Sequence, residues 1–103
     1  MAERVGYIYG LRDPHTNELR YVGKTMVDPR VRAQGHQAGA HNGSTMRVAH
    51  WLRSLGTDPV VTVFAENVPE SIIELTEASY IRWMRSAGHP LLNSTLRREV
   101  TDA

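Results

Sequence analysis

The opening of the chain, from Val5 to Gly23, limits the possible folds more than any other stretch. Val5, Tyr7, Tyr9 and Leu11 alternate with Gly6, Ile8 and Gly10, the two-residue period of a strand with small or apolar residues on both faces. Asp13-Pro-His-Thr-Asn17 breaks that period. Proline fixes φ, while Asp and Asn side chains hydrogen-bond to nearby backbone. A second strand follows, read with Leu19, Tyr21 and Gly23 on one face and Arg20 and Val22 on the other. The pattern predicts a β-hairpin with a loop of about five residues. Aromatic residues suit strands, and propensity alone accounts for tyrosines here.

The remaining elements must cover this hairpin. Asp28-Pro29 predicts a helix start, since Asp caps free N–H groups and Pro fits the first helical position. That helix carries Arg32 and His36 one turn apart and is weakened by Gly35 and Gly39. Ser44 is a candidate cap for a second helix, in which Val48, Leu52 and Leu55 form a buried stripe and Gly56 is the stop. Val60-Val-Thr-Val-Phe64 reads as a strand buried on both faces. Pro69 opens the longest helix, which reaches about Ala87. The order is β-β-α-α-β-α, an α/β (α+β) domain with a small three-stranded sheet. At 103 residues the chain holds one core, assigned to residues 1–96, with a fraying tail over 97–103.

Composition excludes several classes. No run approaches the roughly 20 apolar residues of a membrane span, and no signal-peptide core is evident. The absence of cysteine removes disulfides and thiolate metal sites and suits a cytoplasmic protein. The net charge of +1 gives no overall basic footprint, but the charges are segregated. Arg20, Lys24, Arg30, Arg32, Arg47 and Arg53 are opposed within their block only by Asp28, whereas Ser54 to Tyr80 contains no Lys or Arg. The basic block fits a surface that tracks phosphates, and equally a solvated face.

Chemistry concentrates at a few positions. In the long helix, Ile72, Ile73, Thr76, Tyr80, Trp83, Met84 and Ala87 form one stripe at about 100° per residue. Glu77 falls at its edge. A carboxylate there needs a partner, either an arginine or a hard cation such as Mg²⁺. Arg32 can hold a phosphate as a fork and Lys24 as a point charge. Arg30 competes with Arg32, and His36 can donate to the same phosphate or lie on the helix surface. The histidines lack zinc spacing, and there is no Gly-rich phosphate loop or nucleophilic Ser or Cys signature. Phenols titrate near pH 10, so Tyr9 and Tyr21 become useful bases only beside a cation. Lys24 and Arg32 follow them closely enough to supply one.

Tyr7-Ile8-Tyr9 followed by Tyr21-Val22-Gly23 resembles the paired signature of the GIY-YIG nuclease family. Pro29-x-x-Arg32-x-x-x-His36 is similar to the family's arginine helix, and Trp51-Leu-Arg-Ser-Leu-Gly56 to the end of its middle helix. Glu77-x-x-Tyr80-Ile81 resembles the metal-binding glutamate motif, and Leu91-Leu-Asn93 the closing asparagine motif. The likeness spans Tyr7 to Asn93 and is closest to small stand-alone members of phage or bacterial type. It implies a three-stranded antiparallel sheet flanked by helices and Mg²⁺-dependent hydrolysis of DNA, with Mn²⁺ as a substitute. By the same resemblance Tyr9 or Tyr21 activates water, with Tyr9 favoured, and Arg32 binds the scissile phosphate. Glu77 holds the single metal, Lys24 supports the tyrosines, His36 lies near the phosphate, and Asn93 orients groups around the site. Lys24 and Arg30 are further substrate contacts. Tyr7 stands where the family has Gly, and no large second domain selects a target, so a protein partner or a homodimer is one route to targeting. The competing reading is a catalytically inactive nucleic-acid-binding module on the same fold.

Overall fold

The computed structural model of the protein describes residues 3–27, 29 and 46–93. They form β1 (Val5–Arg12), β2 (Leu19–Thr25), α1 (Met46–Leu55), β3 (Val60–Pro69) and α2 (Glu70–Ser86). The helix expected after Asp28, apart from Pro29, lies outside the described residues, as do the Ser44 cap and the tail. The three strands form one antiparallel sheet in the order β2-β1-β3. The hairpin strand β1 is therefore central, and both β2 and β3 are edges.

The hairpin turn behaves as its residues dictate. One Asp13 carboxylate oxygen accepts the backbone N–H groups of His15 at 2.7 Å and Thr16 at 3.2 Å. Asn17 takes the left-handed conformation at φ 65° and donates its N–H to Asp13 O at 2.7 Å. The His15 and Thr16 N–H groups hold the Asp13 carboxyl below its usual pKa of 3.8, the His15 N–H being the largest cause.

The faces of β2 differ from expectation. A register shift opposite Leu11 and Arg12 leaves Arg20 as an extra residue, so Leu19 and Tyr21 point to opposite faces. Leu19 packs with Ile8 and Val22 beneath α2, while Tyr21 packs with Tyr9 and Leu11 beneath α1. A bulge inserts one unpaired residue and so reverses the alternation on one side of it.

Two core clusters result, one on each side of the sheet. On the first side Val48, Trp51, Leu52 and Leu55 of α1 cover Tyr9 and Leu11. This is the expected stripe, with Trp51 added. Gly56 follows at φ 71°, the left-handed stop that favours glycine. Completely burying Leu52 contributes roughly 1.5–3 kcal/mol of transfer free energy. On the second side Ile73 and Ile81 of α2 meet Ile8, Leu19, Val22 and Val68.

Two expectations are overturned here. The run from Val60 to Phe64 belongs to a longer edge strand, and Val60 and Val63 are exposed. A β-branched run reads as doubly buried, but the pairing order leaves this strand with a neighbour on one side only. The α2 stripe is also rotated. Ile73, Glu77, Tyr80, Ile81 and Met84 form the inward arc, whereas Ile72, Leu75 and Trp83 face solvent. Pro69, expected to open the helix, is its N-cap residue with φ −59° and ψ 140° and also ends β3, and it has no side-chain cap to offer. The chain start caps this helix instead: Glu70 N–H donates to Arg4 O, and Ser71 N–H to Glu3 Oε2, each at 2.9 Å.

Candidate active site

The tyrosine pair is assembled by strand register. Tyr9 lies opposite Gly23, and the Tyr9 and Tyr21 rings pack with centroids 6.2 Å apart, tilted by 53°. Both rings lie over Gly23. A Cβ there would come within 2.7 Å of the Tyr9 hydroxyl oxygen and 2.8 Å of the Tyr21 ring. The glycine of Tyr21-Val22-Gly23 is thus a clearance for the pair, a role the sequence reading did not assign. Burial separates the two phenols: Tyr9 is 1% exposed, whereas Tyr21 is half-buried and reaches solvent.

Lys24 points the other way, since successive strand residues alternate. It lines a cleft of about 420 Å³ between the end of β2 and the start of α2, facing Glu70, Ile73 and Glu74. Glu77 follows Ile73 by one turn and lies half-buried near the middle of the helix's inward arc, not at its edge. The tyrosines and Glu77 therefore rise from opposite faces of the sheet. What lies between them is the sheet, whose β2 strand carries Tyr21 and Lys24 and has an outer edge to be closed.

That edge is closed by the segment after α2. Asn93, buried, accepts the Val22 N–H on Oδ1 at 2.9 Å and donates from Nδ2 to Val22 O at 2.7 Å. Leu92 N–H donates to Arg20 O at 2.6 Å, and Arg20 Nε to Pro90 O at 2.8 Å. The side-chain amide acts as a short strand partner, which satisfies backbone groups that would otherwise be orphaned. Arg85 of α2 completes the arrangement by donating to the Asn93 carbonyl. Asn93 is expected to orient groups around the site; its amide holds the strand that carries Tyr21, Gly23 and Lys24. Arg30, Arg32 and His36 lie outside the described residues.

The model of the GIY-YIG catalytic domain matches residues 5–89. The chain belongs to the GIY-YIG family. No curated protein and no solved structure matches it. The three-stranded antiparallel sheet with flanking helices agrees with the GIY-YIG fold, and membership makes this a nuclease domain with DNA as the implied substrate. No helix among the described residues is long and apolar enough to cross a membrane.

GIY-YIG nucleases generally use a divalent metal, and the residues present can be tested against that requirement. Among the described residues no group of three or more His, Asp or Glu could hold an ion. A cage built from protein ligands alone is thus not what the described part of this domain offers. A single half-buried carboxylate, Glu77, fits a hard cation that keeps most of its waters and takes its other ligands from a phosphate. Trp51 adds one unusual feature to the opposite face. Among the described residues its buried indole N–H has no partner in hydrogen-bond geometry, yet it lies close enough to Asp13 to help keep that carboxylate ionised.

Proposed function

We propose that the protein is a divalent-metal-dependent DNA endonuclease in which a tyrosine accepts the proton of the attacking water. Family membership over residues 5–89 carries this reading, and the tyrosine pair packed over Gly23 supports it. Hydrolysis forms a bond between a water oxygen and phosphorus and breaks the bond to one sugar oxygen. Tyr9 is favoured as proton acceptor by its position in the signature, and Tyr21 by its exposure. Arg32 supplies the positive charge that a phenolate requires, whereas Lys24, expected to support the tyrosines, points to the other face of β2 and is kept as a substrate contact. Arg32 holds the scissile phosphate and stabilises the charge that develops on it, with Arg30 and Lys24 as further contacts and His36 nearby. Glu77 holds the ion, whose Lewis acidity, when bound, offsets charge on the phosphate and the leaving oxygen. Mg²⁺ is the proposed ion, with Mn²⁺ as substitute. Asn93 keeps the β2 edge in register beneath these groups. Cytoplasmic location and targeting by a protein partner or a homodimer complete the proposal.

A panel of single-stranded, duplex, nicked and branched DNA, with and without Mg²⁺, tests this reading. Glu77→Ala and Arg32→Ala should each lower cleavage by on the order of a hundred- to a thousandfold while the fold is kept. Full cleavage by folded Glu77→Ala protein would sink the metal assignment. Tyr9→Phe and Tyr21→Phe keep the rings and remove one hydroxyl each, so the larger loss identifies the base. Salt-sensitive DNA binding without turnover under any divalent ion would instead support the inactive binding module.

A further inference from the structure

Arg85 is claimed by neither the family signature nor the charge pattern, yet it sits where the two halves of the proposed site are joined. It lies in the last turn of α2, half-buried, and donates to the backbone carbonyl of Asn93. Asn93 in turn holds both backbone groups of Val22. Val22 is flanked by Tyr21 and Gly23, the second ring of the tyrosine pair and the clearance beneath it. Eight residues before Arg85 on the same rigid helix is Glu77, about 12 Å away along the axis. At about 100° per residue Arg85 and Glu77 lie about 80° apart, Glu77 near the middle of the inward arc and Arg85 turned toward the segment that closes β2. Beside the direct packing of Ile73 and Ile81 on β1 and β2, a polar path from Glu77 to the tyrosines runs along α2, through Arg85 to Asn93, and from Asn93 into β2.

Other contacts fix the same segment at its two ends but do not replace this link. His89 N–H donates to Met84 O at 3.1 Å and Gly88 N–H to Arg85 O at 3.0 Å, which only turns the chain away from the helix. Arg20 and Leu92 stitch the segment to β2. Arg85 is the residue whose side chain ties the end of α2 to the amide that clamps β2.

We propose that Arg85 is a positioning residue. By fixing Asn93 against α2, it sets the register between the helix carrying Glu77 and the strand edge carrying Tyr21 and Gly23. The proposal deepens the endonuclease reading and rests on it for its catalytic consequence. A guanidinium bonded to a carbonyl is a charge-assisted contact and is firmer than a neutral one. A displacement of about 1 Å in a reacting group is enough to cost a hundredfold in rate.

The test compares the full-length protein with Arg85→Ala and Arg85→Lys. Steady-state cleavage of the best duplex substrate is read alongside hydrogen exchange at the Val22 amide. Arg85→Ala should lower kcat roughly ten- to a hundredfold with KM changed less than about threefold, and should accelerate Val22 exchange selectively. Arg85→Lys, which keeps a donor and a charge, should recover part of both. A raised KM with unchanged kcat, and a salt dependence reduced by about one phosphate contact, would assign Arg85 to DNA binding and overturn the proposal. Unchanged kcat and unchanged Val22 exchange would also overturn it. If the unaltered protein cleaves no DNA, the endonuclease reading falls. Val22 exchange in Arg85→Ala then decides the clamp alone, and exchange equal to that of the unaltered protein would refute it.

Discussion

The two edges of the sheet are treated in opposite ways. The β2 edge is closed by a buried amide and two further hydrogen bonds, and its strand carries Tyr21 and Lys24 of the proposed site. The β3 edge carries exposed valines, and the flank of α2 nearest it presents Ile72, Leu75 and Trp83, with Leu75 68% and Trp83 63% exposed. Phe64 of β3 stacks on Tyr80 at 5.7 Å, and Tyr80 meets Trp83 at 5.9 Å, so helix and strand adjoin on this side. Thr76 and Ser79, in the same surface, donate their hydroxyls to the helix carbonyls of Ile72 and Leu75. The contrast teaches that order in this small domain is spent where chemistry needs it. One edge is polar and tightly specified; the other is apolar and tolerant.

Substitutions can sharpen or break that contrast. Gly23→Ala should have the largest effect, because its Cβ meets Tyr9 and Tyr21 atoms below 3 Å. Thermal unfolding should show a loss of roughly 1–3 kcal/mol, with cleavage falling further than stability explains. Asn93→Ala leaves both Val22 backbone groups unpaired in a buried place. A loss of about 1–2 kcal/mol in denaturant titration is expected; an undiminished midpoint would show that the edge needs no clamp. On the other edge, Leu75→Lys should change stability by no more than about 0.5 kcal/mol. A much larger loss there would erase the distinction between the edges.

The smallest effect should come from the turn, which belongs to neither outer edge. The Asp13 pKa is depressed in the fold, chiefly by the His15 N–H, so its ionised form contributes stability above the ordinary value of 3.8. That contribution is lost as pH falls through the lower, folded-state value. Relative to Asp13→Asn, the native protein should therefore hold its advantage at neutral pH and lose it in acid. Melting curves taken across this range check the sign.

What the sequence made legible follows from locality. The hairpin, its Asp13–Asn17 turn, the Val48-Leu52-Leu55 stripe and the Gly56 stop depend on residues a few positions apart, and all appear as expected. The errors arose where distant pairing decides the outcome. Which strand is central cannot be read from the run Val60–Phe64, since only its pairing with β1 makes β3 an edge. The bulge at Arg20 depends on a register with β1 and was likewise invisible. Apolarity alone runs the α2 stripe through Ile72 and Trp83, but both are exposed, and the inward arc instead includes Glu77 because the sheet sets which side of the helix is covered. For the site, residue types pointed to Tyr9, Tyr21, Lys24 and Glu77. The clearance at Gly23 and the use of Asn93 as a strand partner needed three dimensions.

The clamp on β2 has a consequence for the order of events during synthesis. Asn93 and Val22 are separated by 71 positions in the chain. The hairpin is local and can form while the chain is still being made, but its outer edge cannot be sealed until residue 93 has emerged. Contacts of such long range form late because loop closure must precede them. A nascent chain can therefore display the tyrosine pair on an unsealed strand, and the site gains its final register only after residue 93 has emerged.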